Sequence, residues 1–300
     1  MTRKSFCVYW QSYANSLSLM NDLTKHTISV ITCTLNSEKY IEENLGSVWS
    51  TNQHPFEQVI IDGYSSDKTL EIVEGYQKKW YNIRIIQSPP KGISDAFNRG
   101  IQESRGTIIQ FLNSDDYIVN RDTFSIVEKE FDLWAKWLYG KLLIIDTQWR
   151  QRMGVHMNII YTLLDVFLIP IICVYPHPST FMAKSIFEKY GLFDIHLKYN
   201  MDWDYWIRLR KMIKPKRIQT IFCAFREHPG SVTCDNTFSN KNLQERVYML
   251  KKYYSGLRLY GYIIAMYIFY WPVYWVASFW HKWISGFWKK KTPSLRNNKI

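Results

Sequence analysis

Four aspartates hold most of the chemistry this chain can offer: Asp62, Asp115, Asp116 and Asp202. The first three each close a short apolar run. Asp62 follows Val59-Ile60-Ile61, and Asp115-Asp116 follow Ile108 to Leu112 in the run FLNSDD. Such runs read as buried strands, and ligands bind beyond the carboxyl ends of strands in an open α/β sheet. Adjacent carboxylates repel one another unless a cation is near. A hard divalent ion with oxygen ligands meets that need and is commonly shared with a diphosphate. Asn113 adds a neutral oxygen on the same loop. Asp62 is placed to accept a hydrogen bond from a nucleobase or ribose. The combination describes a nucleoside diphosphate lying across strand ends. Helix capping by Asp115 or Asp116 and a plain turn at Asp62-Gly63 remain the alternatives on spacing alone.

These residues need a scaffold, and the chain supplies one in strand–helix repeats. Ile28 to Thr34 is β-branched and apolar, a buried strand. Ile41, Leu45 and Val48 then fall on one helix face. Glu57 to Ile61 is a second strand, followed by turn chemistry in which Ser66 or Asp67 caps a helix with Leu70, Val73 and Tyr76 inward. Ile83 to Gln87 is a third strand. Pro89 to Gly92 is a loop, Ser94 caps a helix reaching Ser104, and Thr107 to Leu112 is a fourth strand. Short connections and right-handed crossovers give an α/β fold with a parallel, doubly wound sheet. Strands that are apolar throughout fit a sheet covered on both faces.

Farther on, Trp137 to Ile145 reads as a strand with Thr147 to Arg152 its polar continuation. Met157 to Tyr175 is apolar but broken by Asp165 and Pro170. Helices are expected near Lys184 to Tyr190 and over Asn200 to Lys211, and a strand over Arg217 to Arg226. Met1 to Lys25 reads as an N-terminal extension, with no apolar run long enough for a signal peptide.

Hydrophobic residues make up 47% of the chain, enough for a substantial core, and the formal charge of +12 points to an anionic partner. The 13 Trp and 21 Tyr crowd the last third. The 22 positions from Leu259 to Trp280 hold no charged residue, yet they are rich in Tyr and Trp and contain Pro272. Interfacial or re-entrant helices, a membrane span, and a helix packed on its own domain or in a dimer all fit that segment. Lys289-Lys290-Lys291 favours an anionic leaflet. The five cysteines form no C-x-x-C pair, which favours a reducing compartment over a disulfide framework or zinc site. No basic-aromatic nucleic-acid motif is present, so nucleic acid is not expected as a partner.

Seven stretches, in order, resemble the family-2 glycosyltransferases, inverting enzymes with a GT-A fold: ISVITCTLNSEKYIEENLGSV, VIIDGYSSDKTLEIV, KGISDAFNRGI, GTIIQFLNSDD, HPSTFMAKSIFEKYGLFD, MDWDYWIRL and REHPGSVT. They cover roughly residues 26–235, and the flavour is that of bacterial enzymes building O-antigen, capsule or exopolysaccharide. The resemblance implies a nucleotide-sugar half over 26–116, an acceptor half over 117–235 and a helical, membrane-associating region over 236–300.

The resemblance also implies roles. Asp62 contacts the base; Thr34 and Asn36 line the nucleoside pocket; Gly92, Asp95 and Asn98 face the donor. The D-x-D metal motif maps onto Asn113-Ser114-Asp115, so Asp115 is the expected ligand of Mg²⁺ or Mn²⁺. The first acidic position is Asn113 here, one negative charge fewer. His228 matches a histidine that reaches the metal, while Asp116 either helps or only caps. Asp202 matches the general base, with Met201 where Glu is usual and Asp204 the rival. His177 touches acceptor or donor phosphate, or is structural. Trp203 and Trp206 stack on sugar or pack in the core.

The resemblance implies inverting transfer from a nucleotide-diphosphate sugar, UDP-linked by the family's habit, to a saccharide acceptor. A polyprenyl-diphosphate-linked acceptor at an anionic membrane surface, on the cytoplasmic face of a bacterial inner membrane, fits the basic aromatic tail. A nucleotidyltransferase and a non-catalytic nucleotide-sugar binder are the rival readings. The first lacks its Gly-rich basic loop in Ile31 to Ser37.

Overall fold

The computed structural model describes residues 26–79, 81–153, 175–231 and 240–270. The extension expected over 1–25, the apolar stretch over 157–174 and the aromatic tail from 271 onward lie outside these residues. The strands are β1 (Ile28–Thr34), β2 (Glu57–Asp62), β3 (Ile83–Gln87), β4 (Ile108–Phe111), β5 (Tyr117–Ile118), β6 (Trp137–Ile145), β7 (Gln151–Met153), β8 (Thr180–Ala183) and β9 (Lys216–Arg226). The helices are α1 (Ile41–Trp49), α2 (Thr69–Gln77), α3 (Ile93–Glu103), α4 (Thr123–Asp132), α5 (Lys184–Tyr190), α6 (Met201–Leu209), α7 (Asn240–Tyr253) and α8 (Gly256–Ala265).

These strands form one sheet in the order β3-β2-β1-β4-β8-β6-β9-β5, with β7 paired to β6. The first four are parallel, as expected. Beyond them the sheet departs from the expected all-parallel pattern: β8 runs antiparallel to both β4 and β6, and β5 antiparallel to β9. The sheet is therefore mixed. Strand direction depends on how the chain re-enters, and apolar patterning does not encode it.

Alternate residues serve opposite faces. Ile31, Val59, Ile61, Ile109 and Phe111 pack with Phe97 of α3 and with Tyr205 and Trp206 of α6. Val30, Ile60 and Ile108 pack with Ile41 and Leu45 of α1 and Phe124 of α4. Both faces are covered, which is why the strand sequences are apolar throughout.

Local departures from expectation have identifiable causes. Trp149 takes a left-handed φ of 63°, and Asp146 receives the backbone N–H groups of Gln148 and Arg150. The polar continuation of β6 thus turns back as the hairpin strand β7. Ser94 does not cap α3, which begins at Ile93 after Gly92 at φ 126°. Its hydroxyl donates instead to the Leu197 carbonyl. Asp67 accepts the Thr69 N–H at 3.0 Å just before α2.

Helix α7 falls within the region expected to associate with membranes, yet it packs on α6. Lys252 Nζ lies 2.8 Å from both Asp194 and Asp204, and Tyr253 OH donates to Asp204 at 2.9 Å. Among the described residues no helix is long and apolar enough to cross a membrane.

The β6–β9 pairing leaves no room for a side chain at Gly140. A Cβ there stands 2.3 Å from the Phe222 ring. Gly140→Ala is expected to destabilise the fold by about 1–3 kcal/mol through overpacking, read as a lower urea midpoint with unchanged slope.

Candidate active site

The ends of β1 and β2 meet in register, Thr34 opposite Asp62. Asp62 is fully buried, and its carboxylate accepts the Thr34 hydroxyl at 2.9 Å, the Ser65 hydroxyl at 2.6 Å and the Ser65 N–H at 2.9 Å. A carboxylate offers about four acceptor sites, and three donors of its own loop and strand end orient this one. Asn36, at φ 52°, bonds the same loop: its N–H donates to Ser65 Oγ and its Oδ1 accepts the Ser66 N–H, both at 2.9 Å. Asparagine tolerates the left-handed region better than most residues. Thr34, Asn36 and Asp62 are thus gathered at one strand end.

After β4 the chain separates two neighbouring carboxylates. Asp116 is 1% exposed and points inward, where Oδ1 accepts the Arg226 N–H and Oδ2 the Asn113 side-chain amide, each at 3.1 Å. Burial, reinforced by the charge of Asp115, raises its pKa well above the usual carboxylate range. Asp115 points outward, and its Oδ2 lies 2.9 Å from His228 Nε2. The other ring nitrogen of His228 lies 2.9 Å from the Pro229 carbonyl. That contact places a proton on Nδ1 and turns Nε2 toward Asp115. The hydrogen bond that His228 donates to the Asp115 carboxylate raises the His228 pKa against the opposing effect of burial. Ser114 Oγ bonds Ser37 Oγ at 2.9 Å, joining this loop to the one after β1.

Arg226, missed in the sequence, holds the arrangement together. Its side chain is 2% exposed; Nε donates to the Asp115 carbonyl at 3.1 Å, and Nη2 pairs with Glu43 of α1. Tyr40 and Trp149 rings lie 4.8 and 4.9 Å from its guanidinium. Its place in REHPGSVT, at the end of a strand, was the available signal.

A cleft of about 340 Å³ opens beside this loop. Asn113, His177, Asp202, Trp203 and Arg246 contribute to its wall. Asp202 sits in the first turn of α6, and its Oδ1 accepts the Trp203 N–H at 2.7 Å. The positive end of the helix favours a carboxylate there. His177 stacks on Phe111, ring centroids 5.1 Å apart, and neither of its nitrogens has a hydrogen-bond partner among the described residues. Burial lowers its pKa, only partly offset by Asp202, so the ring is neutral near pH 7.

Other expected residues are placed differently. Asp204 is fully buried and paired with Arg208, Lys252 and Tyr253. Asn98 uses both ends of its amide on the backbone of Phe193, at 2.9 Å each. Trp206 stacks on Trp137 in the core, whereas Trp203, only 2% exposed, also lines the cleft. Gly92 and Asp95 open α3, whose Ile93 and Phe97 line the cleft.

A family model described as glycosyl transferase family 2 matches residues 29–191. The chain belongs to glycosyltransferase family 2. A PGL/p-HBAD biosynthesis glycosyltransferase of Mycobacterium bovis is 25% identical over 240 residues, covering 77% of this chain and 87% of that relative. An uncharacterized glycosyltransferase of Rickettsia typhi is 27% identical over 219 residues, 71% of this chain and 67% of its own length. Among solved structures, S. aureus TarS 1-349 in complex with UDP-GlcNAc superposes with a TM-score of 0.62 at 21% identity, covering 80% of this chain and 71% of that one. The likeness to a longer TarS chain spans only 39% of it. A Pyrobaculum calidifontis mannosyltransferase in complex with GDP-Man and Mn2+ gives a TM-score of 0.58 at 16% identity, covering 81% and 69%. The mixed sheet of this glycosyltransferase is thus of the GT-A kind, and it is an enzyme of glycosyl transfer. That displaces the nucleotidyltransferase and binding-module readings.

The residues present fit a divalent cation. Asp115 and His228 supply one oxygen and one nitrogen that already converge, with side chains 20% and 14% exposed. Among the described residues no cluster of three His, Cys, Asp or Glu forms. Two protein donors leave coordination positions for substrate oxygens and water, the usual arrangement for Mg²⁺ with phosphates.

Two substitutions separate support from chemistry in this glycosyltransferase. Arg226→Lys keeps a charge but loses the fork that orients the loop, so Mn²⁺ affinity is expected to fall roughly 10–100-fold, measured by calorimetry. Asp204→Ala leaves Lys252 and Arg208 without their buried anion. It is expected to cost about 3 kcal/mol of stability, seen as a lower denaturation midpoint.

Proposed function

We propose that this glycosyltransferase moves a sugar, with inversion, from a nucleoside-diphosphate donor to a saccharide hydroxyl. The observation that carries the reading is the outward Asp115–His228 pair, standing on a loop whose Asn113 lines the same cleft as Asp202. The nucleoside lies over Thr34, Asn36 and Asp62, with the Asp62 carboxylate fixing the Ser65 loop beside the base. UDP-GlcNAc in S. aureus TarS and GDP-Man with Mn2+ in the Pyrobaculum enzyme support a nucleotide-sugar donor and a divalent ion. UDP is the preferred nucleotide of this reading.

The steps follow from the side chains. Asp202 takes the proton of the acceptor hydroxyl as that oxygen attacks the anomeric carbon. Attack comes from the face opposite the nucleoside diphosphate, and the carbon inverts. Asp115 and His228 would hold a Mg²⁺ or Mn²⁺ ion, which would supply positive charge to the departing diphosphate. Asn113 and Ser114 shape the donor side of the same loop, and Gly92 and Asp95 close it from α3. His177, stacked on Phe111, forms part of the wall of the same cleft. Asp116 and Asp204 are held inside by their own partners and take no part in proton transfer.

The acceptor of this reading is lipid-linked, a polyprenyl-diphosphate saccharide at the cytoplasmic face of a bacterial inner membrane, used in surface polysaccharide synthesis. Residues 246–300 contain no Asp or Glu and ten Lys or Arg, which supports an anionic surface as partner.

A panel of UDP-, GDP- and dTDP-sugars, each with and without Mn²⁺, tests the chemistry through diphosphate release. One donor is expected to turn over only with metal. Asp202→Asn should lower transfer roughly 10²–10⁴-fold while Mn²⁺-dependent donor binding persists. Release that survives Asp202→Asn unchanged rules out Asp202 as the base.

A further inference from the structure

Exposed apolar side chains from three separate segments gather at one end of the molecule. β6 and β9 run parallel with Leu138 opposite Lys216, so the segments leading into them emerge side by side. One carries Leu133 and Trp134, 59% and 92% exposed, and the other carries Met212, 63% exposed. An ion pair from Lys216 to Glu130 of α4 ties the two segments together. The third segment is the α7–α8 joint, where Tyr254 accepts a hydrogen bond from Arg210, two residues before Met212. There α8 begins with Leu257, 91% exposed. Leu257, Tyr260 and Ile264 follow one another at helical spacing along an exposed face of α8. Trp134 itself is held at φ 79°, a conformation rare for a bulky residue.

The charge around these side chains is positive. Lys136, Lys211, Lys214, Lys251 and Arg258 are all exposed. Of the acids just before β6, Asp132 is exposed and Glu130 is paired with Lys216.

We infer that this end of the folded domain is a docking surface for an anionic lipid bilayer. Trp134, Met212 and the apolar face of α8 enter the interfacial layer, and the lysines meet its headgroups. The inference rests on the membrane partner proposed above and adds Trp134, Met212 and their neighbouring lysines to the contact expected of residues 236–300. Because β4 and β6 both run antiparallel to β8, the surface lies at the opposite end of the sheet from the Asp115 loop. Helix α6 spans the gap, with Asp202 in its first turn and Met212 just past its end. Its nine residues rise roughly 13 Å. That separation suits an acceptor already carrying sugars between its lipid and the reacting hydroxyl.

Co-sedimentation of the full chain tests this, using phosphatidylcholine vesicles with and without about one third phosphatidylglycerol. Wild type is expected to sediment with the anionic vesicles. Trp134→Ser combined with Met212→Ser should lower the partition coefficient roughly tenfold or more, with metal-dependent donor hydrolysis in solution unchanged. Lys211→Gln with Lys214→Gln should weaken binding and flatten its salt dependence. If wild type stays in the supernatant, the membrane partner itself fails. If wild type binds and the Trp134/Met212 variant binds equally, the folded surface fails and the tail alone is the contact. If the chain self-associates by light scattering, the variants are monomeric and neither binds vesicles, a second copy covers the surface and the inference is overturned.

Discussion

A buried guanidinium organises the catalytic end of this glycosyltransferase. Arg226 lies at the end of β9, far in sequence from everything it touches. It reaches Glu43 on α1 and the Asp115 carbonyl after β4, and its own N–H is taken by Asp116. Removing a guanidinium from water is costly unless its donors are met. Here Glu43 supplies the opposite charge, and Tyr40 and Trp149 flank the ion. The rigid fork then sets which way the Asp115-Asp116 pair can turn: Asp116 inward to the backbone of Arg226, Asp115 outward to His228. Since His228 follows Arg226 by two residues, one buried ion positions both candidate metal ligands.

The same logic of burial and partners sorts the remaining carboxylates. Asp62 is inside, oriented by three local donors. Asp204 is inside and neutralised by Arg208 and Lys252, binding α6 to α7. Asp202, two residues earlier, lines the cleft at the start of the helix. A single turn of α6 thus offers one acid to structure and one to solvent. On the proposed reading, the first fixes the wall of the acceptor cleft and the second deprotonates the acceptor.

Much of this was legible in the sequence. The four parallel strands and their helices follow from apolar runs and turn residues, and the strand-end positions of Thr34, Asp62 and Asp115 follow with them. Other features depend on distant pairing that local pattern does not record. Arg226 and Glu43 are 183 positions apart in the chain. The direction of β8 reverses without any change in its composition. β7 turns back because Trp149 adopts a left-handed φ and Asp146 gathers two backbone amides, a detail of turn chemistry hidden in a polar stretch. Helix α7 has few apolar residues, so its packing on α6 through Lys252 and Tyr253 gave little signal. Asn98 and Phe193 show the same limit, since an asparagine suited to a ligand instead clasps a backbone 95 residues away.

On the proposed reading, a divalent ion would join the Asp115–His228 pair to a nucleoside diphosphate. Electron paramagnetic resonance of Mn²⁺ reads that junction directly. Titrating UDP into protein with Mn²⁺ should convert the free-ion signal into that of a protein-bound ion, with tighter binding than Mn²⁺ shows to protein or UDP alone, and Asp115→Ala should abolish the gain. UDP that binds equally well in the presence of EDTA, or an Asp115→Ala protein with the same ternary signal as wild type, contradicts the account.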